Sequence, residues 1–183
     1  MSDRRPEFVF GYGSLVAEHE RGHVATLSGH RRRWGVAMDN ARDEPGYKLY
    51  RLRGDGGRPR IYVAFLDIAP DPVATVAGIC MPVAEHELAE LDRRERNYDR
   101  VDVTRSIGDA RGRVWAYRGS EAGRGRLRDG LASGRAAVSR DYLDGVLAGL
   151  AVLAPAEAGA MRRSPAEAGL DVLDLERVEI PAR

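Results

Sequence analysis

The side chain best suited to chemistry is a glutamate on the helix face that should be buried. Residues Ala84–Arg96 predict a helix, because glutamates come early and arginines late, the order that the helix dipole favours. Leu88 and Leu91 mark its inward face. At about 100° per residue, Glu95 falls within roughly 20° of Leu88 around the helix axis. The pattern therefore places a carboxylate on the buried face, at the C-terminal end of the helix.

Two interpretations of Glu95 stay open at this point. A buried carboxylate at the negative end of a helix should have a raised pKa, which would make it a better proton acceptor near neutral pH. Burial of a carboxylate is costly unless it has partners, so the alternative is a structural ion pair with an arginine such as Arg33 or Arg100.

A glycine-containing turn near the start of the chain is the second feature that could serve a reaction. The apolar run Phe8–Phe10 leads directly into Gly11-Tyr12-Gly13-Ser14-Leu15, which predicts a buried strand that ends in a tight turn. Such a turn presents several backbone N–H groups in one direction, an arrangement that suits a carboxylate, a phosphate or a developing oxyanion. An ordinary strand-to-loop connection is the alternative interpretation.

Composition limits the classes of protein to consider. The chain has 183 residues, 43% hydrophobic and 31% charged, with a net charge of +1, which is ordinary for a globular protein and gives no reason to expect nucleic acid as a partner. Residues 1–6 are polar, and the apolar run behind them is too short for a signal peptide. Cys80 is the single cysteine, which rules out an internal disulfide and favours the cytoplasm.

The elements that must position these residues indicate an α+β fold. Five or six strands are expected, mostly adjacent in sequence, including residues 7–12, 30–38, 61–68 (ended by Pro70-Asp71-Pro72), 75–82, 100–104 and 113–117. A last helix is expected to begin at Ser139 as N-cap. Residues 39–60 predict a long surface excursion, a lid or a hairpin. We expect one domain over 1–153 and an Ala/Pro/Gly-rich tail over 154–183, of which 172–180 could dock as a short strand or helix.

Four short motifs, in order along the chain, resemble those of the γ-glutamylcyclotransferase-like family. The turn Phe10–Leu15 is similar to the family's Tyr-Gly-Ser signature, and Leu91–Glu95 followed by Tyr98 is similar to its Leu-Asp-x-x-Glu segment. Val114–Tyr117 resembles a later strand with a site tyrosine, and Ser139–Tyr142 resembles the start of the next helix. The chain has Leu15 where some branches have asparagine, and the tail lies outside the resemblance.

This resemblance implies a small closed or nearly closed mixed β-barrel flanked by helices. It also implies cleavage of a γ-glutamyl amide by attack of the substrate's own α-amine on its γ-carbonyl, which releases 5-oxoproline and an amine or amino acid. Glu95 would be the catalytic acid/base. The substrate would be a small molecule such as glutathione, a γ-glutamyl amino acid or a γ-glutamyl amine, and it would bind to residues Gly11, Tyr12, Gly13, Ser14, Leu15, Tyr98, Tyr117 and Tyr142.

Other interpretations are weaker. His19-Glu20-Arg21-Gly22-His23 matches the zinc-protease pattern H-E-x-x-H, but Gly22 interrupts the helix that the motif needs. The Gly11–Ser14 turn lacks a third glycine and the lysine of a phosphate loop. Arg31-Arg32-Arg33-Trp34 could be a small nucleic-acid patch, but such a run is more typical of a solvated strand face, or of a strand in which one arginine pairs inside. We therefore expect no metal, no cofactor, no nucleic acid and no membrane, and a monomer or homodimer; a non-catalytic binding module of the same fold is the main alternative.

Overall fold

The fold, taken from a computed structural model that describes residues 5–182, contains nine strands and four α-helices in that range. The strands are β1 Glu7–Gly11, β2 His23–Asp39, β3 Lys48–Leu52, β4 Tyr62–Val83, β5 Tyr98–Asp102, β6 Arg113–Gly119, β7 Ala136–Ser139, β8 Asp171–Leu173 and β9 Leu175–Glu179. The helices are α1 Glu85–Arg94, α2 Glu121–Ala132, α3 Arg140–Leu153 and α4 Pro155–Glu167, with 3-10 helices at Ser14–Arg21 and Thr104–Ser106.

Two long antiparallel strands, β2 and β4, form the centre of the sheet. They pair from His23 with Cys80 to Asp39 with Tyr62. On its other side, β4 pairs with β1 near its C-terminal end and with β7 near its N-terminal end. The complete sheet has seven strands in the order β5-β6-β1-β4-β7-β8, with β2 on β4. Parallel pairs (β1 with β6, β4 with β7, β7 with β8) stand beside antiparallel ones, so the expected mixed α+β fold is confirmed.

The sheet curves towards a barrel without a continuous closing ladder in the described part of the chain. A single bridge between Leu27 of β2 and Ile107, in the connection from β5 to β6, joins the free side of β2 to the far end of the sheet. The strands β3 and β9 form a separate antiparallel pair. Within residues 5–182, no helix has the length and apolar character needed to cross a bilayer.

Two apolar clusters hold these layers together. The larger draws side chains from the seven-stranded sheet and from α2, α3 and α4. The smaller packs β3 and β9 onto β2 and β4, through Val36, Met38, Tyr47, Tyr50, Val63, Phe65 and Leu175. The C-terminal residues therefore contribute to both clusters, since Met161 of α4 lies in the first and Leu175 of β9 in the second.

The expected end of a strand at Pro70-Asp71-Pro72 is wrong, because β4 continues through it. Opposite these residues, β2 has only Gly29, with φ of +72°, between the pairs Ser28–Thr75 and His30–Pro70. Residues 71–74 therefore bulge outwards, and a proline needs no ladder hydrogen bond at a bulge.

The expectation for residues 39–60 is only partly right. Their middle forms β3, which pairs with β9 and not within the segment itself, and Tyr47, Leu49 and Tyr50 are buried. The buried side chain of Asn40 fixes the return of the chain, since it bonds both the N–H and the carbonyl of Tyr50 at 2.7 and 2.9 Å. The segment is thus a structural layer that reaches the C-terminal strand.

The remaining differences concern the C-terminal half. Helix α2 was not expected, because three of its twelve residues are glycine and most of the others are polar, so the sequence shows little apolar helical periodicity there. Helix α3 follows Ser139 as predicted, but the Ser139 hydroxyl donates to Leu175 O at 3.5 Å and does not cap the helix. The tail forms α4, β8 and β9, so of the two alternatives for residues 172–180, a short strand or a helix, the structure has strands.

Candidate functional site

A cavity of about 830 Å³ lies between the C-terminal end of α1, the first turn of the 3-10 helix and the β3–β9 pair. Six of the nine predicted site residues line it: Ser14, Leu15, Glu95, Tyr98, Tyr117 and Tyr142. The predicted carboxylate and part of the glycine turn therefore face the same space, although they come from distant parts of the sequence. The other three predicted residues do not line the cavity: Gly11, Tyr12 and Gly13.

Glu95 is the C-cap residue directly after helix α1, which ends at Arg94, two residues earlier than predicted, and Glu95 lines the cavity. Its backbone N–H donates to Leu91 O at 2.8 Å, and its side chain is half-buried. Within residues 5–182 its carboxylate has no hydrogen-bond or ion-pair partner. Burial raises the pKa of this carboxyl above its usual range, while the charges of Lys48, Arg94 and Arg177 act in the opposite direction. The arrangement gives a carboxylate that is free to accept a proton from a ligand.

The alternative of a structural ion pair for Glu95 is wrong. Arg33 pairs instead with the fully buried Asp67, at 3.2 Å between Nη2 and Oδ2. Arg100 pairs with Asp92, at 3.2 Å between Nε and Oδ1. Both arginines proposed as partners are thus engaged elsewhere.

The glycines of the turn serve close packing, and neither has a positive φ. A Cβ built on Gly11 would lie 2.5 Å from Cβ of Leu15, and one on Gly13 would lie 2.9 Å from the Tyr142 hydroxyl. The turn therefore folds back tightly on Leu15 and against Tyr142, where a larger residue would displace a cavity-lining side chain. The prediction of a tight turn is confirmed, but the glycines are needed because neighbouring side chains pack closely against them, and not because of a positive φ.

The tyrosine hydroxyls are held by the protein. Tyr98 donates to Leu66 O at 2.8 Å, and the Tyr142 oxygen accepts from the N–H of Leu66 at 3.3 Å. Tyr12 donates to the carbonyl of Tyr117, whose own hydroxyl donates to Asp92 at 2.8 Å. Burial raises the pKa of the Tyr98 hydroxyl well above its usual value. These rings shape the cavity and stay protonated, so among the predicted site residues Glu95 is the one suited to accept a proton.

Four cationic residues line the cavity, and sequence reasoning predicted none of them as site residues: Arg21, Arg94, Lys48 on β3 and Arg177 on β9. The Lys48 ammonium lies 4.4 Å from the centre of the Phe65 ring and 5.4 Å from that of Tyr47. Burial lowers its pKa to about 8. Arg177 pairs with Glu179 at 2.5 Å. One signal could have found Lys48: it is the single lysine among 29 basic residues.

Arg32, in the run 31–33, holds the turn from behind. Its side chain is 5% exposed. It donates from Nε to the Tyr12 carbonyl at 2.9 Å and from its terminal nitrogens to Ala77 O and to Glu157 of α4, at 2.5 Å for the latter. Of the two alternatives for the run, pairing inside is the one observed: Arg32 connects the turn to the C-terminal helix, and Arg33 pairs with the buried Asp67.

The metal-protease pattern does not form a helix face. His19 lies in the 3-10 helix, whereas His23 begins β2 after the extended Gly22. Across the described residues, no cluster of three His, Cys, Asp or Glu side chains has a geometry suited to a metal ion.

Comparison with known proteins agrees with this geometry. The family described as "Gamma-glutamyl cyclotransferase, AIG2-like" matches residues 9–135. A search of curated protein sequences gave no match. One similar solved structure is a gamma-glutamyl cyclotransferase, with a TM-score of 0.52, 14% identity, and 85% of each chain covered.

Two further structures share the fold. A gamma-glutamyl cyclotransferase specific to glutathione, from yeast, has a TM-score of 0.55 and 14% identity, and the match covers 90% of this chain and 97% of the yeast chain. An uncharacterized protein from Homo sapiens has a TM-score of 0.51 and 15% identity over 87% and 88% of the two chains. At such identities the structures show the fold alone, while the family match spans most of the sequence. The chain belongs to the gamma-glutamyl cyclotransferase, AIG2-like family.

Proposed function

We propose that the protein cleaves a γ-glutamyl amide by intramolecular cyclisation and releases 5-oxoproline together with an amine or amino acid. The observation that carries the proposal is the half-buried carboxylate of Glu95, which has a raised pKa and no partner within residues 5–182, and which faces the same cavity as Ser14 and Leu15. An unpaired carboxylate in a cavity is costly for folding, and a role in proton transfer accounts for it.

The reaction suits a site that has a base and no nucleophile of its own. The substrate's α-amine is the nucleophile, so the protein has to hold the γ-glutamyl chain folded until amine and γ-carbonyl meet. Glu95 would take a proton from the α-ammonium group and could later return one to the departing nitrogen. Tyr98, Tyr117 and Tyr142 would hold the folded substrate between their rings.

The turn would supply the electrostatic part of catalysis. The first N–H groups of a helix have no acceptor within it, and Ser14 and Leu15 begin the 3-10 helix beside the cavity. These groups would bind the substrate's α-carboxylate or the oxyanion that develops on the γ-carbonyl oxygen. Gly11, Tyr12 and Gly13 would act by fixing the position of the turn.

The setting of the proposed reaction follows from composition. The single cysteine, Cys80, is buried, and its pKa is raised by burial to about 11, so it is not a reactive thiol. We therefore propose a cytoplasmic enzyme without a cofactor, which acts on a small molecule as a monomer or homodimer. The division into a domain over 1–153 and a docked tail over 154–183 is part of the same proposal.

The test is release of 5-oxoproline from glutathione, γ-glutamyl-alanine and γ-glutamyl-lysine by the purified protein. We expect turnover of at least one, and a loss of about 10²–10⁴-fold in kcat for Glu95→Gln, the usual effect of removing an acid/base group. Glu20→Gln, an exposed glutamate away from the cavity, is the matched control and should stay active. If the wild type binds these compounds without turnover, the protein is a binding module and the proposal is wrong.

A further inference from the structure

We propose that Lys48 is a second catalytic residue, which donates the proton to the departing nitrogen while Glu95 acts as the base. This inference rests on the proposed cyclisation and adds a separate acid to it. Lys48 lies outside every motif that suggested the family, in the segment 39–60.

The position of Lys48 is set by pairing between distant segments. Lys48 begins β3, opposite Glu179 of β9, and its ammonium rests over the Phe65 and Tyr47 rings. In the described part of the chain it has no hydrogen-bond or ion-pair partner. Lys48 thus lines the same cavity as Glu95, and the Lys48 ammonium and the Glu95 carboxylate influence each other's pKa without forming an ion pair. Each group is therefore available to a ligand in that cavity.

The composition of the chain indicates that this position needs a lysine. The chain has 29 lysine and arginine residues, and Lys48 is the single lysine. Arginine binds carboxylates at least as well as lysine, but it does not release its proton in proteins, whereas a buried lysine does. A site that required only a positive charge would be served by either residue. A lysine in a chain that otherwise uses arginine therefore favours proton transfer over simple charge.

The charges around the ammonium agree with this role. Burial lowers the pKa of Lys48 to about 8, and Arg177 and Arg94 lower it as well, while Glu95 and Glu179 raise it. An acid works best when its pKa is near the working pH. An exposed lysine, with a pKa of about 10.4, would hold its proton too tightly for efficient transfer near neutral pH.

The proton balance of the reaction closes with these two groups. Glu95 takes one proton from the α-ammonium group, and the free amine forms its bond to the γ-carbon. The Lys48 ammonium gives a proton to the departing nitrogen as the C–N bond breaks. The ring nitrogen then returns its second proton to neutral Lys48, and Glu95 passes its proton to the released amine. Both side chains end in their starting states, and no proton is gained or lost overall.

The experiment compares two substrates that differ in their need for an acid. The alkylamine of γ-glutamyl-alanine must be protonated before it leaves, whereas the weakly basic nitroaniline of γ-glutamyl-p-nitroanilide leaves with little protonation. We expect Lys48→Met and Lys48→Arg to lower kcat for γ-glutamyl-alanine by about 10²-fold or more, the range for loss of a general acid. Both variants should lower kcat for the nitroanilide by less than about 10-fold. We assign this smaller loss to poorer positioning of the substrate.

The pH profile gives a second readout. Wild-type kcat for γ-glutamyl-alanine should fall above a pH of about 8, as Lys48 loses its proton, and this limb should be missing in Lys48→Arg. Arg51→Met, an exposed change on the same strand and outside the cavity, is the matched control for folding and should retain wild-type rates on both substrates.

The outcomes separate the two proposals. If Lys48→Arg keeps wild-type kcat on γ-glutamyl-alanine, or if both substrates slow equally, Lys48 supplies charge or packing and the inference is wrong while the cyclisation stands. If the wild type releases 5-oxoproline from neither of these substrates, nor from glutathione or γ-glutamyl-lysine, the proposed function itself fails. Lys48→Arg keeps the positive charge on a long side chain, so it remains informative if Lys48→Met loses its fold. The unfolding temperature of each variant reports whether it is folded.

Discussion

At the scale of single residues, Glu95 connects stability to activity. Burial raises the pKa of this carboxyl, so the folded protein binds its proton more tightly than the unfolded chain does. Stability is therefore lost as the pH rises through the raised pKa, and below the ordinary glutamate value of about 4.3 no further change arises from this group. The form needed to accept a proton, the carboxylate, is the form that destabilises the fold.

We predict that Glu95→Gln raises the unfolding temperature at pH 7 while it lowers kcat. Glutamine keeps the shape and removes the cost of a buried charge, so the difference from the wild type should shrink as the pH falls from 7 towards 4. Thermal unfolding at a series of pH values measures this, with Glu20→Gln as the exposed control. A Glu95→Gln protein that is less stable than the wild type at pH 7 would mean that the carboxylate contributes a stabilising contact.

At the scale of elements, Arg32 fixes the turn against the C-terminal helix. Three acceptors from three elements meet at its guanidinium: the Tyr12 carbonyl, the Ala77 carbonyl of β4 and the Glu157 carboxylate of α4. The Arg32 side chain is almost fully buried, whereas Glu157 is 38% exposed. Loss of the arginine leaves buried carbonyls without donors, while loss of the glutamate charge is compensated largely by water.

We predict that Arg32→Met lowers the free energy of unfolding by about 2 kcal/mol, the usual cost of leaving buried acceptors unpaired. The same change should raise KM for a γ-glutamyl substrate, because the Ser14–Leu15 turn loses its support. Glu157→Gln should cost less than about 1 kcal/mol, since its partner remains bonded to both carbonyls. Denaturant unfolding measures both variants, and Arg31→Met, an exposed neighbour, serves as control. Equal effects of Arg31→Met and Arg32→Met would contradict this role of the guanidinium.

The elements also show which parts of the site the sequence could predict. Glu95 was found because helical periodicity is local: the spacing from Leu88 to Glu95 predicts one helix face from the sequence of α1 and its C-cap alone. Lys48 was missed because its place in the cavity depends on the pairing of β3 with β9, which lie far apart in the sequence. No local pattern encodes that pairing, and the bonds from Asn40 to Tyr50 that support it leave no periodic signal.

At the scale of the whole molecule, the C-terminal segment forms one wall of the cavity. The family match ends at residue 135, yet β9 contributes Arg177 and Glu179 to the cavity lining and pairs with the strand that carries Lys48. Leu175, with no exposed surface, anchors β9 in the smaller apolar cluster. The position of Lys48 therefore depends on a segment outside the residues that the family match covers.

The last prediction tests this dependence through Leu175→Ala in the full chain. Removal of a fully buried leucine should lower the free energy of unfolding by about 2–5 kcal/mol, through lost burial and a cavity. Because Leu175 does not line the cavity, kcat of the folded protein should fall only if the change makes β9 more mobile and displaces Lys48. Hydrogen exchange of β3 and β9 should then increase more than that of β2. Val73→Ala, at a residue that is 95% exposed, should change stability by less than about 0.5 kcal/mol. Uniform exchange across all strands would show that β3 and β9 unfold only with the whole protein, and Lys48 would then be positioned by the main core.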